Sequence, residues 1–221
     1  MNKKFFIVAI NVVLLIFFGT GIIANTLQDV QTVREDNYYS ILLNEEYEEE
    51  DIYEIIDGYD EYRFSYCTDF ANYYNGACGP VAFINTIKIF EDINNVDIIK
   101  GRREREIYKD LVKKFKTKEN GGTKVKNLNS GIELFAKEEN LDFKPEYIDF
   151  NLSYKVRKEI NNNRPLILCD VTPGVEHCFV VVGYIKKHNI DSVVVFTGWQ
   201  DTPYMVVPIK ENDQVFIKFK R

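Results

Sequence analysis

The order of the predicted secondary structure is the feature that most restricts the fold of this chain. Helical patterns occupy its middle, and short runs rich in β-branched and aromatic residues follow Pro165, with turn residues between them. The predicted strands are 166–171, 178–185, 192–198, 204–209 and 214–219. Helices followed by closely spaced strands are typical of the α+β class. We therefore expect an α+β domain in which helices pack on an antiparallel sheet.

The predicted helices cover 80–117, 123–140 and 153–163, and the sequence NGG separates the first two. The first helix begins with PVAFINTIKIF, which is apolar on nearly every side. A surface helix has a polar face, so this pattern predicts a helix buried at the centre of the domain. Pro80 suits the first helical position, where a backbone N–H would be unpaired in any case.

An uncharged apolar run covers residues 5–24, directly after Lys3 and Lys4. About 20 residues are needed for a helix to cross a bilayer, whereas the apolar part of a signal peptide has roughly 7–15. Small residues near the end of the run would suit cleavage after Ala24. Residues 1–24 are therefore either a signal peptide or an N-terminal membrane anchor. In both cases the positive-inside rule predicts a domain that is secreted or tethered outside the cytoplasm.

Residues 25–63 carry 13 Asp and Glu side chains against two Arg, whereas the chain as a whole has a net charge of −6. This imbalance marks a boundary before a domain at 64–221. The acidic segment is either a linker or a pro-segment whose negative charge covers a basic cleft. Isoleucines interleaved with its charges predict that part of it folds, with a short helix as one form.

Composition excludes several classes of function. Four Cys among 221 residues are too few for a disulfide scaffold, and a net negative charge argues against nucleic-acid binding. Paired Cys and His at metal-binding spacing, phosphate-binding glycine loops and dinucleotide fingerprints do not occur in the sequence. We therefore expect no cofactor and no metal.

Cys78 and His177 are the candidates for chemistry. Cys78 stands directly ahead of the central helix, where the positive end of the macrodipole would lower the pKa of its thiol. Unpaired N–H groups at the same helix end can hold a developing oxyanion. His177 precedes the strand 178–185 and can act as the base for the thiol. A small buried cysteine and a strand-end histidine are the structural alternative.

Two sequence blocks carry a family resemblance. NGACGPVAFINTIKIF, followed by NNNRPLILCDVTPGVEHCFVVVGYI, resembles the bacteriocin-leader-peptidase-like branch of the papain-like cysteine peptidase superfamily of bacteria. In that branch Cys-Gly-Pro opens the central helix, and a later block ending in Gly-Tyr carries the histidine. The matching positions are Cys78-Gly79-Pro80, Arg164-Pro165, His177 and Gly183-Tyr184, within a resemblance that spans residues 64–210. It implies a papain-like fold and a thiol peptidase that hydrolyses peptide bonds in a peptide or protein substrate. With residues 1–24 as an export segment, we expect an exported peptidase.

Two positions depart from the family pattern. Asn72 stands where a glutamine usually supplies an oxyanion donor, so it is either a shorter donor or a loop residue. The third member of the triad falls to Thr197, two residues before the single tryptophan, with Asp201 as the alternative partner for the imidazole. A neutral third member leaves two other functions open: a catalytically inactive domain that binds a peptide or another partner, and an amide acyl-transferase.

The remaining cysteines have structural interpretations. Cys169 and Cys178 lie on neighbouring predicted strands and are either a cross-strand disulfide or two buried thiols. Cys178 follows His177 directly, so its side chain should point to the other face of the strand. Cys67 is left without an expected partner among them, unless it captures Cys78.

Overall fold

The structure is a computed structural model that describes residues 32–33, 52–58, 63–70, 78–119, 122–173 and 176–220. The apolar run at 5–24, most of the acidic segment and Asn72 lie outside these residues. None of the helices in the described ranges combines the length and the hydropathy that a membrane span requires.

The described chain contains four α-helices and a 3₁₀ turn at Cys67–Phe70. The helices are α1 (Cys78–Asn94), α2 (Glu104–Lys114), α3 (Val125–Glu139) and α4 (Leu152–Ile160). The predictions at 123–140 and 153–163 are confirmed, whereas the prediction of one helix over 80–117 is wrong.

The long predicted helix is divided because α1 ends in a left-handed cap. Asn95 has φ 49°, a conformation that asparagine adopts more readily than most residues. The Val96 N–H donates to the Glu91 carbonyl, and the Asn95 N–H donates to the Asp92 carbonyl, which is the hydrogen-bond pattern of a Schellman motif. These bonds satisfy the last carbonyls of α1 and redirect the chain before α2 begins.

One antiparallel sheet contains all the described strands, and it confirms the α+β class. Its strands are β1 (Thr32–Val33), β2 (Ile52–Ile55), β3 (Lys144–Ile148), β4 (Leu166–Asp170), β5 (His177–Lys187), β6 (Ile190–Phe196), β7 (Tyr204–Pro208) and β8 (Gln214–Lys220). The order across the sheet is β1-β7-β6-β5-β4-β8-β3, and β2 pairs with β5. Strand β3 was not predicted from the sequence. It lies at the edge, where Pro145 is tolerated because one side of the strand needs no partner.

Strand β2 brings the end of the acidic segment into the sheet. Ile52–Ile55 pairs with residues 183–186 in the second half of β5. Strand β4 does not reach this half, because its first residue, Leu166, lies opposite Val181. This part of the segment is therefore a strand, and the short helix expected there is not what the described residues form. The next residue, Ile56, is 1% exposed, and its N–H donates to the Val182 carbonyl at 2.9 Å. An ion pair of 2.7 Å between Glu54 and Arg157 connects β2 to α4.

Helix α1 is the centre of the core, as its sequence predicts. It packs against β4 and β5 on one side and against α2 and α3 on the other. Phe83 is fully buried, and its ring contacts the rings of four other phenylalanines: Phe115, Phe135, Phe143 and Phe219. Because a closely packed helix has little freedom to shift, its first residue, Cys78, has a fixed place relative to β5.

We predict that Ile56→Ala lowers the free energy of unfolding by about 2–5 kcal/mol, because it removes a buried aliphatic side chain and leaves a cavity. Urea denaturation checks this value. Ile190→Ala is the matched control, since Ile190 is 57% exposed and its truncation should change stability by no more than about 0.5 kcal/mol. Equal effects of the two substitutions would contradict a structural role for the end of the acidic segment.

Candidate active site

Cys78 is the first residue of α1 and is half-buried. The first N–H groups of a helix have no partner within it, so Cys78 lies beside donors that can bind an anion. Pro80 lacks an N–H and lies in the first turn, where that loss breaks no hydrogen bond of the helix. A Cβ on Gly79 would lie 3.1 Å from Thr123, so a larger residue beside the cysteine would press α1 away from its neighbour.

His177 is the first residue of β5 and is 8% exposed. Its ring lies 4.4 Å from the ring of Trp199 and 4.7 Å from that of Phe179, measured between centroids. Trp199 is itself partly exposed and covers the imidazole from the solvent side. Two aromatic contacts therefore fix the plane of the histidine at the end of the strand.

The structure brings the two predicted residues together. The thiol of Cys78 lies close enough to the side chain of His177 for the imidazole to lower the pKa of the thiol. Helix α1 supplies the sulfur and strand β5 supplies the ring, and the two elements pack directly on each other. A nucleophile and base within hydrogen-bond reach are what acyl transfer by a cysteine requires.

The hydrogen bond on the far side of the ring defines the tautomer. His177 Nε2 lies 2.7 Å from the backbone carbonyl oxygen of Thr197. A carbonyl only accepts, so Nε2 carries a proton and donates it to this bond. In a neutral ring the other nitrogen, Nδ1, is then unprotonated and can accept a proton from Cys78.

Thr197 is the partner of the imidazole, as predicted for the third member of the triad, but it acts through its backbone carbonyl. The Thr197 side chain accepts from the Trp199 N–H at 2.9 Å and donates to the Thr202 carbonyl, so the hydroxyl shapes the turn after β6. The group that accepts the imidazole N–H is therefore the backbone carbonyl of Thr197 and not its hydroxyl. Among the described residues, Asp201 is exposed and does not replace it as the partner of Nε2.

The expected fall in the pKa of Cys78 is not what the structure gives. The hydrogen bond to Cys178 raises the pKa of the Cys78 thiol most strongly, because that bond holds the thiol proton, and burial raises it further. The bond to His177 lowers the pKa, but less. The effect of the helix N-terminus on the pKa of Cys78 is therefore outweighed by burial and by Cys178, a residue expected on the other face of its strand. The Cys78 thiol is neutral at rest.

The four cysteines are all free thiols. Cys169 lies directly opposite Cys178 across the strand pair β5–β4, and it raises the pKa of the Cys178 thiol, whereas Cys78 lowers it through its side chain. Of the two interpretations of Cys169 and Cys178, the structure has two buried thiols. Burial raises the pKa of Cys67 to about 12, and the nearby Cys78 adds to this shift.

Sequence reasoning missed a buried polar row behind the histidine. Asp170 lies directly opposite His177 on β4, and Gln214 lies opposite Asp170 on β8. All three residues are buried, and one oxygen of Asp170 accepts from the Thr172 N–H at 2.9 Å. This bond fixes the chain where it leaves β4 toward His177. Asp170 is the one charged residue in the predicted strand 166–171, whose other residues are apolar, and this was the available signal.

The described residues contain no group of three His, Cys, Asp or Glu side chains arranged to hold a metal ion. No protein-family model matches the chain, and no curated protein matches it either.

We predict that Cys178→Ala lowers the pKa of Cys78, because it removes the hydrogen bond that raises this pKa most. Only the thiolate is alkylated, so at pH 7–8 the rate of Cys78 alkylation by iodoacetamide should rise about tenfold for each unit of pKa lost. Mass spectrometry of the Cys78 peptide across a pH series measures the rate. His177→Ala should act in the opposite direction, and Cys67→Ala is the matched thiol deletion, with a smaller effect. An unchanged profile in Cys178→Ala would contradict the thiol contact.

Proposed function

We propose that this protein is a cysteine peptidase of the papain-like type, related to the bacteriocin-leader-peptidase-like branch that its sequence resembles. Cys78 is the nucleophile, His177 is the base, and the substrate is a peptide or protein. The observation that carries the proposal is the position of the Cys78 thiol beside the imidazole of His177, whose Nε2 lies 2.7 Å from the Thr197 carbonyl oxygen. No cofactor is needed for this chemistry.

The proposed reaction begins with proton transfer from the thiol to Nδ1 of His177 as the sulfur attacks the substrate carbonyl. N–H groups at the start of α1 stabilise the oxyanion of the tetrahedral intermediate. Asn72 is proposed as an additional donor, although it lies outside the described residues. His177 then returns the proton to the leaving amine, and an acyl-enzyme forms. Water, deprotonated by His177, hydrolyses the acyl-enzyme and restores the thiol.

The raised pKa of Cys78 determines when the proton moves. In the resting site the sulfur is protonated, so a preformed ion pair of thiolate and imidazolium is not the starting state. Proton transfer must accompany nucleophilic attack or follow displacement of the Cys178 hydrogen bond. A substrate group that takes over this position would lower the pKa of Cys78 and activate the thiol only when substrate is bound.

The second candidate is a catalytically inactive domain that binds a peptide or another partner. The raised pKa of Cys78 and the neutral third member favour it, because neither strengthens the nucleophile. An amide acyl-transferase would use the same residues and differ only in the acceptor, an amine in place of water. Adding an amine to the assay and identifying products by mass distinguishes transfer from hydrolysis.

We further propose that the protein is exported and that its domain lies on the extracytoplasmic side. Support comes from the sequence of residues 1–24, as a signal peptide or as a membrane tether through 5–24. The acidic segment of 25–63 is proposed as a linker or pro-segment up to β2. Removal of the whole segment would also remove β2 and Ile56, so processing that leaves the domain intact should occur before residue 52.

We predict that Cys78→Ala abolishes hydrolysis and that His177→Ala lowers kcat/KM by about 10²–10⁴, the contribution typical of a general base. A mixed peptide library is digested, and new termini are identified by mass spectrometry. Cys169→Ala is the matched control, since it deletes a buried thiol that has no part in the proposed mechanism.

Hydrolysis that persists at the original rate in Cys78→Ala would refute the peptidase. A wild-type protein that binds library peptides without cleaving them, with binding retained in both variants, would identify the binding domain instead.

We predict that Thr197→Ser and Asp201→Asn both keep kcat/KM within about threefold of the wild-type value, because the imidazole is oriented by a backbone carbonyl that both substitutions retain. Thr197→Val should lower activity more than Thr197→Ser, since valine cannot make the two hydroxyl bonds that shape the turn. The same peptide assay measures these values. A loss of about 100-fold or more in Asp201→Asn would instead assign the orienting role to that carboxylate.

A further inference from the structure

Asp170 is a buried carboxylate that has no Lys or Arg partner among the described residues. It ends β4 and is 7% exposed, and its oxygens accept from two neutral groups, the Thr172 N–H at 2.9 Å and the Gln214 amide at 3.5 Å. The other buried carboxylate of the described ranges, Glu159, is ion-paired with Arg164. A buried charge is costly unless an opposite charge nearby offsets it. A positive charge beside Asp170 would therefore be strongly favoured.

His177 is the group in position to carry that charge. It lies directly opposite Asp170 in the antiparallel pair of β4 and β5, and both residues are buried. Side chains paired in this way lie on the same face of the sheet, with Cβ atoms about 4.5–5.5 Å apart. Burial disfavours the charged form of an imidazole, and a carboxylate at this distance compensates for the lost solvent.

We propose that Asp170 is a positioning residue whose carboxylate stabilises the imidazolium of His177 across the strand pair, which supplies the negative charge that the Thr197 carbonyl lacks. Its part in catalysis rests on the proposed function, whereas the interaction of the two charges does not. The ring becomes positive when it accepts the proton of Cys78, and the proton stays on the ring. An interaction that strengthens only as this charge forms accelerates the step that forms it.

Gln214 fixes the orientation of the carboxylate. Its amide oxygen accepts from the Lys210 N–H at 2.8 Å, and its amide nitrogen donates to the Pro208 carbonyl at 3.0 Å and to Asp170. Asp170 thus accepts at both oxygens, with the Thr172 N–H as the other donor. An acceptor role at both oxygens is the pattern of an ionised carboxylate.

The other titratable groups around His177 are unsuited to this role. The thiols on the neighbouring elements have raised pKa values and stay neutral near pH 7: Cys67, Cys78 and Cys178. Glu176 and Asp201, in the adjoining loops, are exposed. Solvent and salt screen exposed charges, so these carboxylates influence the ring less than a buried one does.

The test follows the protonation of His177 in the full chain by NMR of the histidine ring protons, across about pH 5–9. The chain has two histidines, and the exposed His188 serves as the internal reference. We expect Asp170→Asn to lower the pH at which His177 takes up its proton by about one pH unit, because the imidazolium loses a stabilising negative charge. Glu176→Gln is the matched control and should shift this midpoint by less than half as much. An unchanged midpoint in Asp170→Asn, or equal shifts in the two variants, would overturn the proposal.

A measurement on the unaltered chain decides the question even if Asp170→Asn fails to fold. With ¹³C-labelled aspartate, the carboxyl signal of Asp170 should show an inflection at the pH where His177 titrates, because interacting groups respond to each other's charge. The signal of the exposed Asp201 is the comparison and should show a smaller inflection or none. A flat Asp170 signal through the His177 titration would refute the interaction.

The peptide assay tests the catalytic part separately. We expect Asp170→Asn to lower the maximal kcat/KM about tenfold and to move the acidic limb of its pH profile to lower pH, together with the NMR midpoint. Structural damage alone would lower the maximum without moving the limb, and that result would refute the role of Asp170. A wild-type protein that hydrolyses no peptide would refute the peptidase, while the NMR midpoints would still test the pairing of Asp170 with His177.

Discussion

Burial of residues 79–87 of α1 on all sides is the constraint on which the rest of the structure depends. The helix contacts β4 and β5 through one side and α2 and α3 through the other, so its axis cannot shift without opening the core. Its first residue is Cys78, and the first residue of β5 is His177. A reactive pair with partners from distant parts of the chain therefore keeps its geometry through packing rather than through local bonds. Apolar contacts hold the elements, and a few polar bonds refine the site.

Two features of the candidate site have opposite effects on the pKa of Cys78. The start of a helix favours a thiolate, but a neighbouring thiol and burial both favour the neutral form of Cys78. The imidazole is oriented by a neutral backbone carbonyl, which fixes the tautomer but adds no negative charge. The resting site is thus ordered for proton transfer while its nucleophile stays protonated.

The sequence predicted those features that are encoded in side-chain patterns. The apolar run of α1, the later strands and the pairing of Cys78 with His177 follow from hydrophobic periodicity and from two motifs. The carbonyl of Thr197 could not be predicted, because every residue carries one and only the turn after β6 aims it. The end of α1 at Asn95 depends on a left-handed backbone conformation, which leaves little trace in composition. The influence of Cys178 on Cys78 was missed because the alternation of side chains along a strand gives no information about a helix that begins beside it.

The place of β2 has a consequence for how this chain acquires its structure. A strand from early in the sequence pairs with β5, which is made much later. Contacts between distant segments form slowly, since a long loop must close before they contribute. During synthesis strand β2 cannot pair until β5, much later in the chain, has been made. Until then the backbone of β2 is unpaired and could form a sheet with another molecule. The negative charges of the acidic segment oppose such aggregation.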